Sequence, residues 1–562
     1  MNASARAAHS RSNTLRFRRR SIPRYAILLA LVVAAFLTRL LPVAISPLPY
    51  NNDSMTECRM ASDIIASGHL NYPPGASYVE THSVIMPLYD LILAFVSSAI
   101  GSSPFDIAQL VAAVIAVLAV VGGYMVALQI TRGVRSAMVA ALVLVLLGTF
   151  LFFTGSVWKA ALGMALFIYL MFCYMNRRDM RFLLMEVLVL AILPFSHHLA
   201  AFMAYLAIAY LTVWSFFVAA VRRRITLTHV TDAVIILGVG LGAYAYYAYE
   251  GLDRLELVQS GLGMVRAIIA FVVICAIMIA VFSMKTHIKY SFAPLVSVLL
   301  FGFMAYDYFQ PSVSYVSSAP QIVLVLVASI AALAGFAWYG LEVSVEQKSR
   351  YSAIPLCLLL PFLTVAGFAL LSGLRFDSQQ IVFRSFDFAD LPLALGIGLC
   401  VSSLKRTRFR DIAIMVIIVF LLVSLPFSFL TQPLNGVRHD TQRYETDAFA
   451  WLRSSAGAES VVLSDERLSH IGNALDDFKN TPWLPGRLVS EGRLGVGGYF
   501  VLEDEWSTKG VDDFPYGTPV ISATWVSGLL QSSNVVYMGG PSSDRIIIFY
   551  ASDVGWNVMQ PS

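Results

Sequence analysis

Long apolar runs separated by short polar loops fill most of the chain, and their spacing is that of membrane-crossing helices. The runs fall at approximately 25–45, 107–130, 137–153, 160–175, 182–195, 199–221, 231–249, 263–284, 290–308, 321–341, 352–373, 391–404 and 411–430, about thirteen spans in all. The stretch Val84–Ile100 is shorter and contains Asp90, so it is expected to lie against the membrane surface or to insert only partly. With that segment left out of the count, every strong basic cluster falls on one side. Arg132 and Arg135, Arg177 to Arg181, Arg222 to Arg224, Lys285 and Lys289, Lys348 and Arg350, and Lys405 to Arg410 then all share the face of the basic N-terminus. That face is read as cytoplasmic.

Past residue 430 the apolar runs shorten while charge and glycine rise. Residues 440–454 read as a helix, 460–463 as a strand, 465–475 as a turn and helix, and 534–550 as a hairpin around Gly539-Gly540-Pro541. The expected fold class is an α-helical polytopic membrane protein with a small C-terminal extracytoplasmic α/β domain. Its parts are a cytoplasmic basic tail (1–24), a transmembrane domain (25–430) with an external loop (46–83), and the C-terminal domain (431–562).

Composition agrees with this reading. Of 562 residues, 58% are hydrophobic and 13% charged, outside the range of ordinary soluble domains. The formal net charge of +4 matters less than where the cations sit. Five scattered cysteines provide neither a disulfide framework nor a metal-binding spacing. No basic stripe with interleaved aromatics occurs in a soluble segment, so nucleic acid is not an expected partner. The first apolar run lacks a cleavage site and reads as a retained anchor.

The candidate chemistry gathers on the external face. Asn51-Asn52-Asp53-Ser54-Met55-Thr56-Glu57 places acids directly after the first span. Asp53 is the candidate base, and a helix starting there would set Glu57 on the same face. Glu57 equally fits a capping box with Ser54. The same face collects Glu80 and His82 from the first loop, Trp158 and Lys159 from the second, the pair His197-His198, and Arg375, Arg384 and Asp387 before the twelfth span. Interfacial cations can meet a lipid phosphate while their stems stay in hydrocarbon, which makes Arg384, Lys159 and Arg375 candidate phosphate ligands. His197, His198, Glu80, His82 and Trp158 are candidate substrate contacts.

Together with the long first external loop and the C-terminal domain, the stretches Tyr72-Pro73-Pro74-Gly75, Phe195-Ser196-His197-His198, and Arg384 followed by Leu391-Pro392-Leu393 resemble the GT-C superfamily of membrane glycosyltransferases. In Trp451-Leu452-Arg453 and Val461 to Arg467 the tail is similar to uncharacterised archaeal members. The topology also resembles the catalytic subunit of oligosaccharyltransferase. Two departures stand against that narrower assignment: the Trp-Trp-Asp-Tyr-Gly motif is absent from residues 431–562, and the loop Gln310 to Pro320 contains no acid.

The resemblance implies a sugar donor carried on polyprenyl phosphate and a glycan, lipid or protein acceptor, with membrane lipids as surroundings. Such a donor has a good leaving group, so one carboxylate to deprotonate the acceptor and a cation for the departing phosphate suffice. No cofactor is required on this chemistry, although Asp53, Glu57 and the histidine pair could support a divalent metal; no dedicated metal site is assigned. A transporter or a non-catalytic assembly protein are the alternatives. A transporter usually carries broken helices and internal repeats, and no repeat is evident here.

Overall fold

The computed structural model describes residues 24–51, 53–70, 85–221, 223, 227–249, 261–283, 320–346, 353–372, 376–425, 428, 438–457, 460–476, 478–480, 498–507, 527, 531, 534–542 and 544–551. The membrane part is built from α1 (Arg24–Arg39), α2 (Asp53–Ser67), α3 (Leu88–Ile100), α4 (Pro104–Thr131), α5 (Val134–Leu146), α6 (Gly148–Gly155), α7 (Lys159–Asn176) and α8 (Met180–Ser196). It continues with α9 (His198–Val221), α10 (Leu227–Tyr249), α11 (Gly261–Ser283), α12 (Pro320–Glu346), α13 (Ile354–Leu371), α14 (Phe376–Ser403) and α15 (Thr407–Ser424). Among the described residues six helices are long and apolar enough to span a bilayer, and the bent pair α5–α6 makes a seventh. The expected span at 290–308 lies outside the described residues.

Two boundaries differ from expectation for physical reasons. The run expected at 391–404 begins at Phe376, because the polar first half of α14, with Asp377, Arg384, Asp387 and Asp390, is helical although not apolar. The run expected at 137–153 is broken at Leu147, whose extended backbone (φ −64°, ψ 120°) bends the pair by 63°. The helix α3 has 13 residues and ends on Gly101 in the left-handed region (φ 76°), too short to cross the bilayer core.

Small residues set the helix spacing. A Cβ on Gly340 of α12 would collide with the carbonyl of Gly396 in α14, and one on Gly398 would stand 2.9 Å from the carbonyl of Ser136 in α5. The contact at Gly398 puts the C-terminal end of α14 beside the start of α5, next to Arg132 and Arg135. Lys405 to Arg410 lie in and just after the α14–α15 turn, so the bundle has a basic end, and α2 sits at the opposite one.

The C-terminal part adds α16 (Arg443–Ala456), β1 (Val461–Leu463), α17 (Glu466–Asp476), β2 (Lys479–Asn480), β3 (Gly498–Glu503), β4 (Asn534–Gly539) and β5 (Ile546–Ala551). The strands form one mixed sheet in the order β2-β1-β3-β5-β4, with β2 and β3 parallel to β1 and the rest antiparallel. The expected hairpin is β4–β5, with a register shift between Val535 and Tyr537 and Gly540 in its turn at φ 95°. The expected helices at 440–454 and 465–475 are α16 and α17. Met55 of α2 is part of this domain's core, packed with residues such as Phe449, Leu468, Phe500 and Phe549, which seats the domain on α2.

The break at Leu147 leaves carbonyls without intrahelical partners. Arg39, fully buried, answers this by donating to the carbonyls of Leu144 and Val145 (both 2.8 Å) and to Thr154 Oγ1 (3.2 Å). Replacing Arg39 with Met is expected to strand these acceptors and to lower stability by at least about 2 kcal/mol, read as a drop in the thermal unfolding midpoint in detergent.

Candidate functional site

The loop before α2 is tied to the rest of the protein at several points. Asn51 has a positive φ (105°), uncommon for a residue with a side chain, and it is held there by donating its N–H to the carbonyl of His439 (2.9 Å). The Tyr50 carbonyl accepts from Val157 N (3.1 Å). Ser54 Oγ turns back to the carbonyls of Pro49 (2.8 Å) and Asn51 (2.5 Å). The capping box, one of the two readings open for Glu57, therefore does not form. Ser54 closes the loop, and Glu57 points into the bundle instead.

The helix does start at Asp53, with Glu57 one turn further on. Glu57 Oε2 lies 3.1 Å from Lys159 Nζ, and Asp90 Oδ2 lies 3.0 Å from the same nitrogen. Side-chain exposures of 6% for Lys159, 7% for Glu57 and 0% for Asp90 make this a buried, ion-paired triad. It joins α2, α3 and the first residue of α7. A cation at a helix N-terminus opposes the helix dipole, so Lys159 depends on its two carboxylates. Burial, and then the charge of Asp90, hold the Glu57 carboxyl well above its ordinary range, while Lys159 pulls the other way.

Asp53 is half-buried and close enough to Glu57 and to His439 to interact with both electrostatically. His439 belongs to the segment entering the C-terminal domain. Its ring stands 6.0 Å from that of Tyr50 and 5.2 Å from that of Phe152. Burial depresses its pKa to about 4, so the imidazole is neutral near pH 7. Its Nδ1 is buried and finds no hydrogen-bond partner among the described residues. Trp158 stacks on Phe153 (5.2 Å) and donates its indole N–H to the Phe153 carbonyl (2.6 Å), completing an aromatic wall with Tyr50 and Phe152.

The domain side of α2 is equally engaged. Thr56 Oγ1 is 3.0 Å from His470 Nδ1, and Arg59 pairs with Asp63 (3.0 Å) and donates to the carbonyl of Ala474 (3.4 Å). Asp53 is thus located by two bodies at once.

The other expected residues distribute as follows. Lys159 is not an exposed interfacial cation but the centre of the triad. His197 and His198 pack ring against ring (4.9 Å) at the α8–α9 junction, where the His198 N–H donates to the sulfur of Met86, four residues before Asp90. Arg384 is exposed on α14. Arg375, Glu80 and His82 lie outside the described residues. Asp387 and Asp390 are buried in the bundle, the latter with Thr149 Oγ1 2.9 Å from both its oxygens. Asp90 and His439 were not anticipated as site residues. An acid inside an apolar stretch was the available signal for the first, and nothing local marks the second.

Among the described residues no three His, Cys, Asp or Glu side chains converge as a metal site. Two of the three acids gathered here are already engaged by Lys159.

No family model matches the sequence, and no curated protein is significantly similar to it. Solved structures do match. The oligosaccharyltransferase of Archaeoglobus fulgidus in the apo form aligns over 96% of this chain and 75% of that one, with a TM-score of 0.55 and 14% identity. The same enzyme tethered by a disulfide to an acceptor peptide containing the NVT sequon aligns over 95% and 74%, at 0.53 and 13%. A variant of the arabinofuranosyltransferase AftD from Mycobacteria aligns over 95% of this chain and 42% of its own, at 0.50 and 14%. At such identities the likeness establishes a shared fold and nothing beyond it.

Two expectations follow from the triad and from His439. Lys159→Met should cost about 3–5 kcal/mol by leaving two buried acids uncompensated, and adding Glu57→Gln should restore part of the loss in thermal unfolding. The pH dependence has two arms. An acid whose pKa is raised on folding makes stability fall as pH rises past the ordinary carboxyl range, so Glu57→Gln should flatten that fall. A histidine depressed from 6.5 to about 4 makes stability fall as pH drops between those values, and His439→Gln should remove that arm.

Proposed function

We propose that the protein is an integral membrane glycosyltransferase that takes a sugar from a polyprenyl-phosphate donor and transfers it at the extracytoplasmic face, with Asp53 as base. The observation that carries the proposal is the division of labour among the acids at one end of the bundle. Lys159 engages Glu57 and Asp90, whereas Asp53 stays half-buried at the wall between bundle and C-terminal domain. The fold shared with known glycosyltransferases supports the reaction class.

In the proposed reaction Asp53 accepts the proton of the acceptor hydroxyl as that oxygen attacks the anomeric carbon. The bond from that carbon to the donor phosphate breaks, the polyprenyl phosphate leaves with the electron pair, and the anomeric centre inverts. Arg384, together with Arg375, is assigned to the phosphate. Lys159 acts through Glu57, fixing the helix that carries the base. Half-buried Trp158, backed by Phe152 and Phe153, offers the flat apolar surface that sugar rings engage.

A second reading, transfer of a lipid-linked glycan to protein, is favoured by the likeness to oligosaccharyltransferase over nearly the whole chain. The acceptor separates the two. Purified protein should be assayed with a panel of polyprenyl-phosphate and polyprenyl-diphosphate sugars against hydroxyl acceptors and an NVT-containing peptide. Asp53→Asn is expected to lower turnover by at least about a hundredfold while leaving thermal unfolding unchanged. Equal turnover in the variant would remove Asp53 from the chemistry, and transfer to the peptide alone would establish the second reading.

A further inference from the structure

At the basic end of the bundle, α12, α14 and α15 leave an open apolar groove between them, about 570 Å³ in volume. Ala332 and Gly335 of α12 and Ala413 of α15 carry little or no side chain and so leave the space open, and Phe336, Phe409 and Val416 also line it. Nearly all of its surface is carbon, so it suits hydrocarbon and not a water-soluble ligand.

The segment that runs beside this groove is strongly cationic. Residues 405–411 hold Lys405, Arg406, Arg408 and Arg410 against the single acid Asp411. Lys405, Arg406 and Arg408 are exposed, and the Arg406 guanidinium lies 5.8 Å from the centre of the Phe409 ring that walls the groove. At least one cation is thus in contact with a residue that lines the groove. These cations also stand at the first turn of α15, where the dipole is positive and no side chain caps the helix, an arrangement that a nearby anion would relieve. A topology signal requires only a count of cations, and it would serve as well on a loop with no groove beneath it.

We propose that this groove binds one anionic phospholipid, with a hydrocarbon chain lying over Gly335 and Ala413 and the phosphate among Lys405, Arg406 and Arg408. The site is at the other end of the bundle from Asp53. It does not depend on the glycosyl-transfer reading, because a bundle with any activity could hold it. Charge complementarity selects the occupant: a zwitterionic lipid would gain the apolar contact but far less from the cations.

The test is native mass spectrometry of the purified full-length protein titrated with phosphatidylglycerol and with phosphatidylcholine of the same chains. The native protein is expected to retain phosphatidylglycerol preferentially. Arg406→Gln with Arg408→Gln, both exposed, should weaken that retention roughly twenty-five-fold, from about fivefold per cation lost. Ala413→Trp, which fills the groove, should reduce retention of both lipids. If the two lipids are retained equally, or if the double variant keeps the preference intact, the proposal fails. Displacement of phosphatidylglycerol by an equimolar amount of undecaprenyl phosphate would also overturn it, by making the occupant a free polyprenyl carrier.

Discussion

The position of the candidate base depends on a single buried cation. Lys159 is the first residue of its helix, is almost wholly removed from water, and is tolerable there only because Glu57 and Asp90 both reach it. Those three residues come from segments separated by tens of positions, so the ion cluster closes the first external loop onto the bundle. Glu57 is one turn below Asp53 on the same helix. Fixing the one fixes the other.

A helix held from one side only could rock about that contact, but here the opposite side is held as well. Met55 is inserted in the core of the C-terminal domain, Thr56 meets His470, and Arg59 reaches the end of α17. The domain is therefore part of the site's wall and not an appendage. His439 contributes twice: its carbonyl holds Asn51 at a backbone angle that a non-glycine residue seldom adopts, and its ring faces the aromatic wall. Such strain persists only where the surroundings over-determine it, and hydrogen bonds from Ser54 and Val157 to this loop supply that constraint.

What the sequence made legible follows from the range of each interaction. Hydropathy is local, so the spans were readable within a few residues wherever a helix is apolar throughout, as at Pro104–Thr131. It failed for Phe376–Ser403, where the buried acids Asp387 and Asp390 interrupt the apolar run ahead of Leu391. The acids at 53 and 57 were readable because they follow a span directly. Their partners were not, because the pairing of Glu57 with Lys159 and Asp90 is a property of three folded segments. The local capping pattern of Ser54 and Glu57 was therefore misleading: a buried ion pair outcompeted an exposed cap. His439 has no sequence signal at all, since its significance comes from the loop it touches nearly four hundred residues upstream.

The bent pair α5–α6 bears on the question of transport. Broken membrane helices can expose carbonyls that bind ions, and buried Asp387 and Asp390 in the neighbouring α14 would suit a cation pathway. In this bundle the exposed carbonyls of Leu144 and Val145 are already occupied by Arg39, and the N–H of Gly148 just past the break donates to Ser424 Oγ (3.2 Å). A guanidinium placed where an ion would have to bind repels that ion. Thr149, also just past the break, donates its hydroxyl proton to Asp390. The break is thus filled by the protein's own side chains, and what it accomplishes is to tie α1, α14 and α15 to the bent pair beneath the site.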